Sequence, residues 1–135
     1  MNEESSLKRW LAAILAADIA GYSRLMGRDE AATVSDLKNH QAVILPLVAR
    51  HGGRIMDTAG DGILAVFRSL NGAIHCAVEI QTVMAGRNKD VPENRRMVFR
   101  IGVNLGDVIH DGVRVYGDGI NVAARLEALA EPGGV

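Results

Sequence analysis

Seven consecutive apolar residues, Leu11-Ala12-Ala13-Ile14-Leu15-Ala16-Ala17, run without interruption into Asp18. Such a run is far too short to cross a bilayer as a helix, which takes about 20 residues. It also lacks the polar alternation that would leave one face wet. It reads as a buried strand, so the rest of the chain must supply its cover. The carboxylate that ends it stands where folding alone would favour Gly, Asn or Ser. Asp61 holds a second position of this kind, in Gly60-Asp61-Gly62, between the apolar stretches 54–59 and 63–67. Two carboxylates at neighbouring strand ends can bind one or two hard divalent cations, and such cations usually serve a phosphate substrate.

The pattern along the chain predicts what covers that strand. Residues 21–26 form a tight turn into a short helix. Residues 29–50 carry Val34, Leu37, Ile44, Leu45 and Val48 on one helical face, with Pro46 predicting a kink or break and Gly52-Gly53 a stop. Residues 54–59 and 63–67 flank an Asp-Gly hairpin signal. Ser69 is an N-cap for a helix over 71–87, whose apolar stripe is Ile74, Ala77, Val78, Val83 and Met84. Met97, Phe99, Ile101 and Val103 alternate as one face of a strand over 97–104. Segments 106–110 and 113–116 surround Asp111-Gly112, a second hairpin signal, and a last helix covers 117–130.

The order strand, helix, strand, strand, helix, strand fits an α+β fold: a two-layer, ferredoxin-like (palm-like) antiparallel sheet with helices on one face. There the first strand lies antiparallel beside the third, which brings Asp18 next to Asp61. At 135 residues and 48% apolar content the chain is one domain with a core of its own. A net charge of −1 gives no electrostatic footprint for nucleic acid. The polar residues 1–8 carry both charge signs and do not read as a signal peptide, and no apolar run reaches spanning length. The single Cys76 excludes an internal disulfide and reads as a small core residue suited to a reducing compartment; a cytoplasmic location is expected. The histidines at 40, 51, 75 and 110 show no metal-ligand spacing.

Four stretches resemble the catalytic domain of class III adenylate and guanylate cyclases, of the bacterial type whose cyclase domain begins near the N-terminus. They are Ala16-Ala17-Asp18-Ile19-Ala20-Gly21-Tyr22-Ser23, Thr58-Ala59-Gly60-Asp61-Gly62, Arg100-Ile101-Gly102-Val103-Asn104-Leu105-Gly106, and residues 116–126, Tyr-Gly-Asp-Gly-Ile-Asn-Val-Ala-Ala-Arg-Leu. The resemblance implies a polar N-terminal segment over 1–10 and a cyclase domain over 11–135 that lacks the family's C-terminal strands. It implies that Asp18, Asp61 and the Ile19 carbonyl hold two divalent cations, Mg²⁺ or Mn²⁺. It implies that the amides of Ala20, Gly21, Tyr22 and Ser23 cradle phosphates. Asn121 and Arg125, at i and i+4, would orient the ribose and stabilise the charged transition state. In this family each active site is shared between two chains, so a head-to-tail homodimer is implied, with ATP or GTP as substrate.

Two positions depart from the adenine-reading pattern. Asp57 stands where adenine-specific members carry Lys, and Arg114 where they carry Asp. That polarity suits guanine, whose N1–H and amine need an acceptor and whose O6 needs a donor. ATP nevertheless stays the broader expectation, with GTP as the alternative. The bland readings are a helix cap for Asp18, a plain turn residue for Asp61, an exposed polar pair for Asn121 and Arg125, and a mutual ion pair for Asp57 and Arg114. The alternative function is a catalytically silent cyclase-like module for dimerisation or nucleotide binding, which the swapped polarity at Asp57 and Arg114 favours and the presence of Asp18, Asp61, Asn121 and Arg125 opposes.

Overall fold

The computed structural model describes residues 8–58, 60–110 and 115–135. Its elements are β1 (Lys8–Ile19), α1 (Tyr22–Arg28), α2 (Glu30–Arg50), β2 (Gly53–Asp57), β3 (Ile63–Phe67), α3 (Leu70–Asn88), β4 (Phe99–His110), β5 (Val115–Tyr116) and α4 (Asp118–Leu129). A 3₁₀ turn, Glu93–Arg95, precedes β4. The sheet order is β2-β3-β1-β4-β5, and every pairing is antiparallel. The apolar run is therefore the central strand, and β1 lies beside β3 as the topology predicts.

Alternation along β1 splits the interior in two. Ala13, Leu15, Ala17 and Ile19 face α2 and α3, in a core with Ile44, Val48, Phe67, Ile80, Phe99 and Ile101. Ala12, Ile14 and Ala16 face the other way, toward Val66, Val108 and Ala123. Ala123 belongs to α4, so α4 lies on the opposite face of the sheet from α2 and α3. The expectation of helices on one face holds for α2 and α3 only.

Local chemistry sets the helix ends. Asp29 caps α2 by accepting the Ala32 N–H, and Ser69 caps α3 by accepting the Gly72 N–H, both at 3.0 Å. Pro46 does not break α2, which runs through it. Pro46 is exposed, so the carbonyl it deprives of a donor lies on the solvent side. The stripe read for α3 is rotated. Ala73, Cys76, Ala77, Ile80 and Met84 are buried, whereas Ile74 and Val78 face outward. The strand expected over 97–104 is longer and continues without a break to His110. Beyond α4, Gly133 donates to the Phe99 carbonyl at 2.8 Å, and Gly134 accepts the Ile101 N–H at 3.3 Å. Gln81 Nε2 donates to both the Phe99 and Gly134 carbonyls at 2.9 Å, so this end of β4 is covered rather than bare.

Candidate active site

β1 outruns β3. Their last partners are Ala17 and Ile63, while β1 stays paired with β4 through Ile19 and Phe99. Asp18 and Ile19 thus have β4 on one side and an open notch on the other. The loop from β2 to β3 turns beside this notch, with Gly60 supplying a left-handed φ of 60°. Asp61 reaches back across it, and its Oδ2 accepts the Ile19 N–H at 2.9 Å. The N–H and C=O of a strand residue point to the same side, so the Ile19 carbonyl also faces the notch. Asp18 does not cap α1, and Asp61, though it lies in the turn, bonds across to β1. The residue preceding α1 is Gly21, with no side-chain cap.

Asp18 lies on the α4 side of the sheet, directly opposite Arg100 on β4. Arg100 Nε donates to Asp18 Oδ1 and Nη2 to Oδ2, each at 3.2 Å, a two-pronged pair that occupies both carboxylate oxygens. Glu127 arrives from α4, its Oε2 3.9 Å from Arg100 Nη2 and its side chain 9% exposed. Gly102 permits that approach, because a Cβ there would collide with the Glu127 amide and the Ala123 carbonyl. Burial pushes the Glu127 carboxyl from its ordinary 4.5 up to about 7. The Asp18 carboxylate, as proton acceptor and as like charge, adds to that rise; Arg100 opposes it and Asp61 supports it. The groups border a cleft of about 350 Å³ whose lining includes Asp18, Asp57, Asp61, Leu64, Ile120 and Glu127.

The structure thus gathers Asp18, Ile19, Asp61 and Asp57 at one opening. It does not bring Asn121 or Arg125 there. Both sit on the exposed side of α4, and the Arg125 side chain, 72% exposed, has among the described residues only Asp118 at 3.9 Å as an acidic neighbour. The expected amide cradle loses a member, since the Ala20 N–H donates to the Val98 carbonyl at 2.9 Å. The amides of Gly21, Tyr22 and Ser23 have no partner among the described residues and remain available at the start of α1. Arg114 lies outside the described residues.

Sequence reasoning missed Arg100 and Glu127. For Glu127 a signal was present: it follows Ile120 and Ala123 at helical spacing, an acid on the inward stripe of an amphipathic helix. Arg100 needed the register of β1 against β4.

The donor set suits a hard cation. Asp18, Asp61 and the Ile19 carbonyl offer only oxygen; four carboxylates (Asp18, Asp57, Asp61 and Glu127) line the cleft, and Arg100 stands beside two of them, Asp18 and Glu127. Among the described residues no three His, Cys, Asp or Glu side chains are placed to hold a metal by themselves.

The sequence profile described as the adenylate and guanylate cyclase catalytic domain matches residues 10–135. The chain belongs to that family. This cyclase domain is 52% identical over 133 residues to a Rhizobium meliloti (strain 1021) protein that carries the provisional name adenylate cyclase 3. It is 31% identical over 122 residues to the adenylate cyclase of Glutamicibacter nicotianae. The matches take in 98% and 88% of the domain but only 23% and 28% of those relatives' lengths. Among solved structures, the adenylate/guanylate cyclase/hydrolase from Silicibacter pomeroyi superposes with a TM-score of 0.87 at 48% identity, covering 94% of this chain and 74% of that one. No described helix of the cyclase domain is long and apolar enough to cross a membrane.

Proposed function

We infer that the domain converts a purine nucleoside triphosphate, ATP in the first instance, to its 3′,5′-cyclic nucleotide between two copies arranged head to tail. The ribose 3′-hydroxyl gives up its proton to solvent as its oxygen bonds the α-phosphorus, the bond from that phosphorus to the bridging oxygen breaks, and pyrophosphate leaves. The observation that carries this reading is the Asp61 carboxylate on the Ile19 N–H, which sets both aspartates on the lip of one cleft. Asp18, Asp61 and the Ile19 carbonyl would hold two divalent cations, Mg²⁺ or Mn²⁺, which supply charge stabilisation to the attacking and leaving oxygens. The amides of Gly21, Tyr22 and Ser23 bind phosphate oxygens at the mouth. Asn121 and Arg125 are exposed and lie outside their own cleft, which supports a role for them at the partner's, Asn121 orienting ribose and Arg125 stabilising the pentavalent phosphorus. Asp57, at the cleft, reads the base with Arg114; GTP is the alternative substrate for that reason.

The test is turnover with Mn²⁺ and ATP or GTP in parallel, resolving cyclic nucleotide and pyrophosphate, with Asp61→Asn as the control. Product that vanishes in the control supports the reading, and an undiminished rate in Asp61→Asn sinks it. An ATP preference above about tenfold removes the guanine alternative. A silent, nucleotide-binding module is the second reading, and the observation favouring it is the Arg100 fork that fills both oxygens of Asp18. No product from a dimeric wild-type chain would establish it.

A further inference from the structure

Arg100 holds the place that a metal ligand must vacate. Both Asp18 oxygens already accept from its guanidinium, at 3.2 Å each, and the pair is only 30% exposed on either side. A divalent cation needs at least one of those oxygens, so it must share Asp18 with a guanidinium that already bonds both, and the closed fork opposes its binding. A second acceptor stands within reach: Glu127 Oε2 is 3.9 Å from the same Nη2 that serves Asp18. Glu127 belongs to α4, is anchored by backbone contact across Gly102, and is almost fully buried. Among the described residues no arginine or lysine lines the cleft itself, and Arg100 reaches it through Asp18.

We propose that Arg100 is a resident cation lock on Asp18, and that Glu127 is the positioning residue that receives its guanidinium when a divalent cation enters. The lock neutralises the acid cluster in the empty domain and gates its loading. It rests on the reading of Asp18 as a metal ligand. Binding of a cation moves the Arg100 guanidinium from the Asp18 oxygens toward Glu127 Oε2, so the move costs less when that acceptor is present than when it is not.

The two residues make separable predictions for Mn²⁺ binding to the nucleotide-free chain, followed by electron paramagnetic resonance. Arg100→Lys keeps the charge but cannot fork both oxygens. It binds Mn²⁺ about tenfold more tightly than wild type, the scale of one charged hydrogen bond. Glu127→Gln binds several-fold more weakly in the wild-type background and has a far smaller effect in the Arg100→Gln background, since its role runs through the Arg100 cation. Equal Mn²⁺ affinity in wild type and Arg100→Lys, with both chains folded by circular dichroism, overturns the lock. So does a Glu127→Gln effect of the same size in both backgrounds, which is what simple loss of a nearby negative charge would give. Arg100→Gln guards against a fold defect peculiar to lysine and must bind at least as tightly as Arg100→Lys. Mn²⁺ binding that survives Asp61→Asn and Asp18→Asn unchanged would instead remove the metal reading on which the lock rests.

Discussion

The two faces of the sheet are built from alternate residues of the same strand, yet they do different work. Toward α2 and α3, β1 presents Ala13, Leu15, Ala17 and Ile19 to a core of twenty buried apolar residues. Toward α4 it presents Ala12, Ile14, Ala16 and then Asp18, and among the described residues the buried apolar cluster there has six members. The first face is closed and dry. The second is half-covered, and its shortfall is filled by Asp18, Arg100, Glu127 and a cleft. Folding free energy comes mainly from the first face, which leaves the second able to crowd like charges that a small domain could not otherwise tolerate.

That division can be broken from either side. The largest effect belongs to the closed face. Phe99→Ala removes a fully buried ring from the core against α2 and α3 and should cost about 3–5 kcal/mol in urea unfolding. A loss below about 1 kcal/mol would mean that this face does not carry the stability. Next comes Arg125→Ala, on the exposed side of α4, which should leave the melting curve in place while lowering turnover by about 10²–10³. Mixed with Asp61→Asn chains, it should recover roughly a quarter of wild-type activity, from one intact site in half of the randomly paired dimers. Failure to complement would mean that Arg125 and Asp61 do not meet across two chains.

The smallest effect sharpens the comparison by pH. The folded chain holds the Glu127 proton up to about 7, whereas an ordinary glutamate gives it up near 4.5. The Glu127 contribution to stability is therefore fully present below 4.5 and is lost as pH rises through about 7. In metal-free buffer the wild type should lose stability across that window, and Glu127→Gln should flatten the slope. An identical slope in the variant would show that the acid cluster is not its source.

Much of this was legible in the sequence. β3 begins and ends where the apolar run 63–67 does, and Ser69 caps α3 as read. The adjacency of Asp18 and Asp61 followed from strand order alone. Three features did not follow, each for a definite reason. The inward face of α3 depends on how the helix rolls against the sheet, and its apolar residues surround too much of its circumference to say; Ile74 and Val78 ended outside. Pro46 signals a break only where the freed carbonyl has no water to turn to. Arg100 is set by pairing between strands some eighty residues apart, which no local pattern encodes.

The stagger of β1 past β3 has one more consequence. The opening is made by a difference in strand length, not by a hollow in the packing. Its dimensions are accordingly counted in residues: one residue more in β3 would zip the sheet shut over the Asp18 position, and one fewer would unpair Ala17 as well. Side chains around the rim can be exchanged over evolutionary time without altering that ruler. Insertions and deletions between Asp57 and Ile63 cannot.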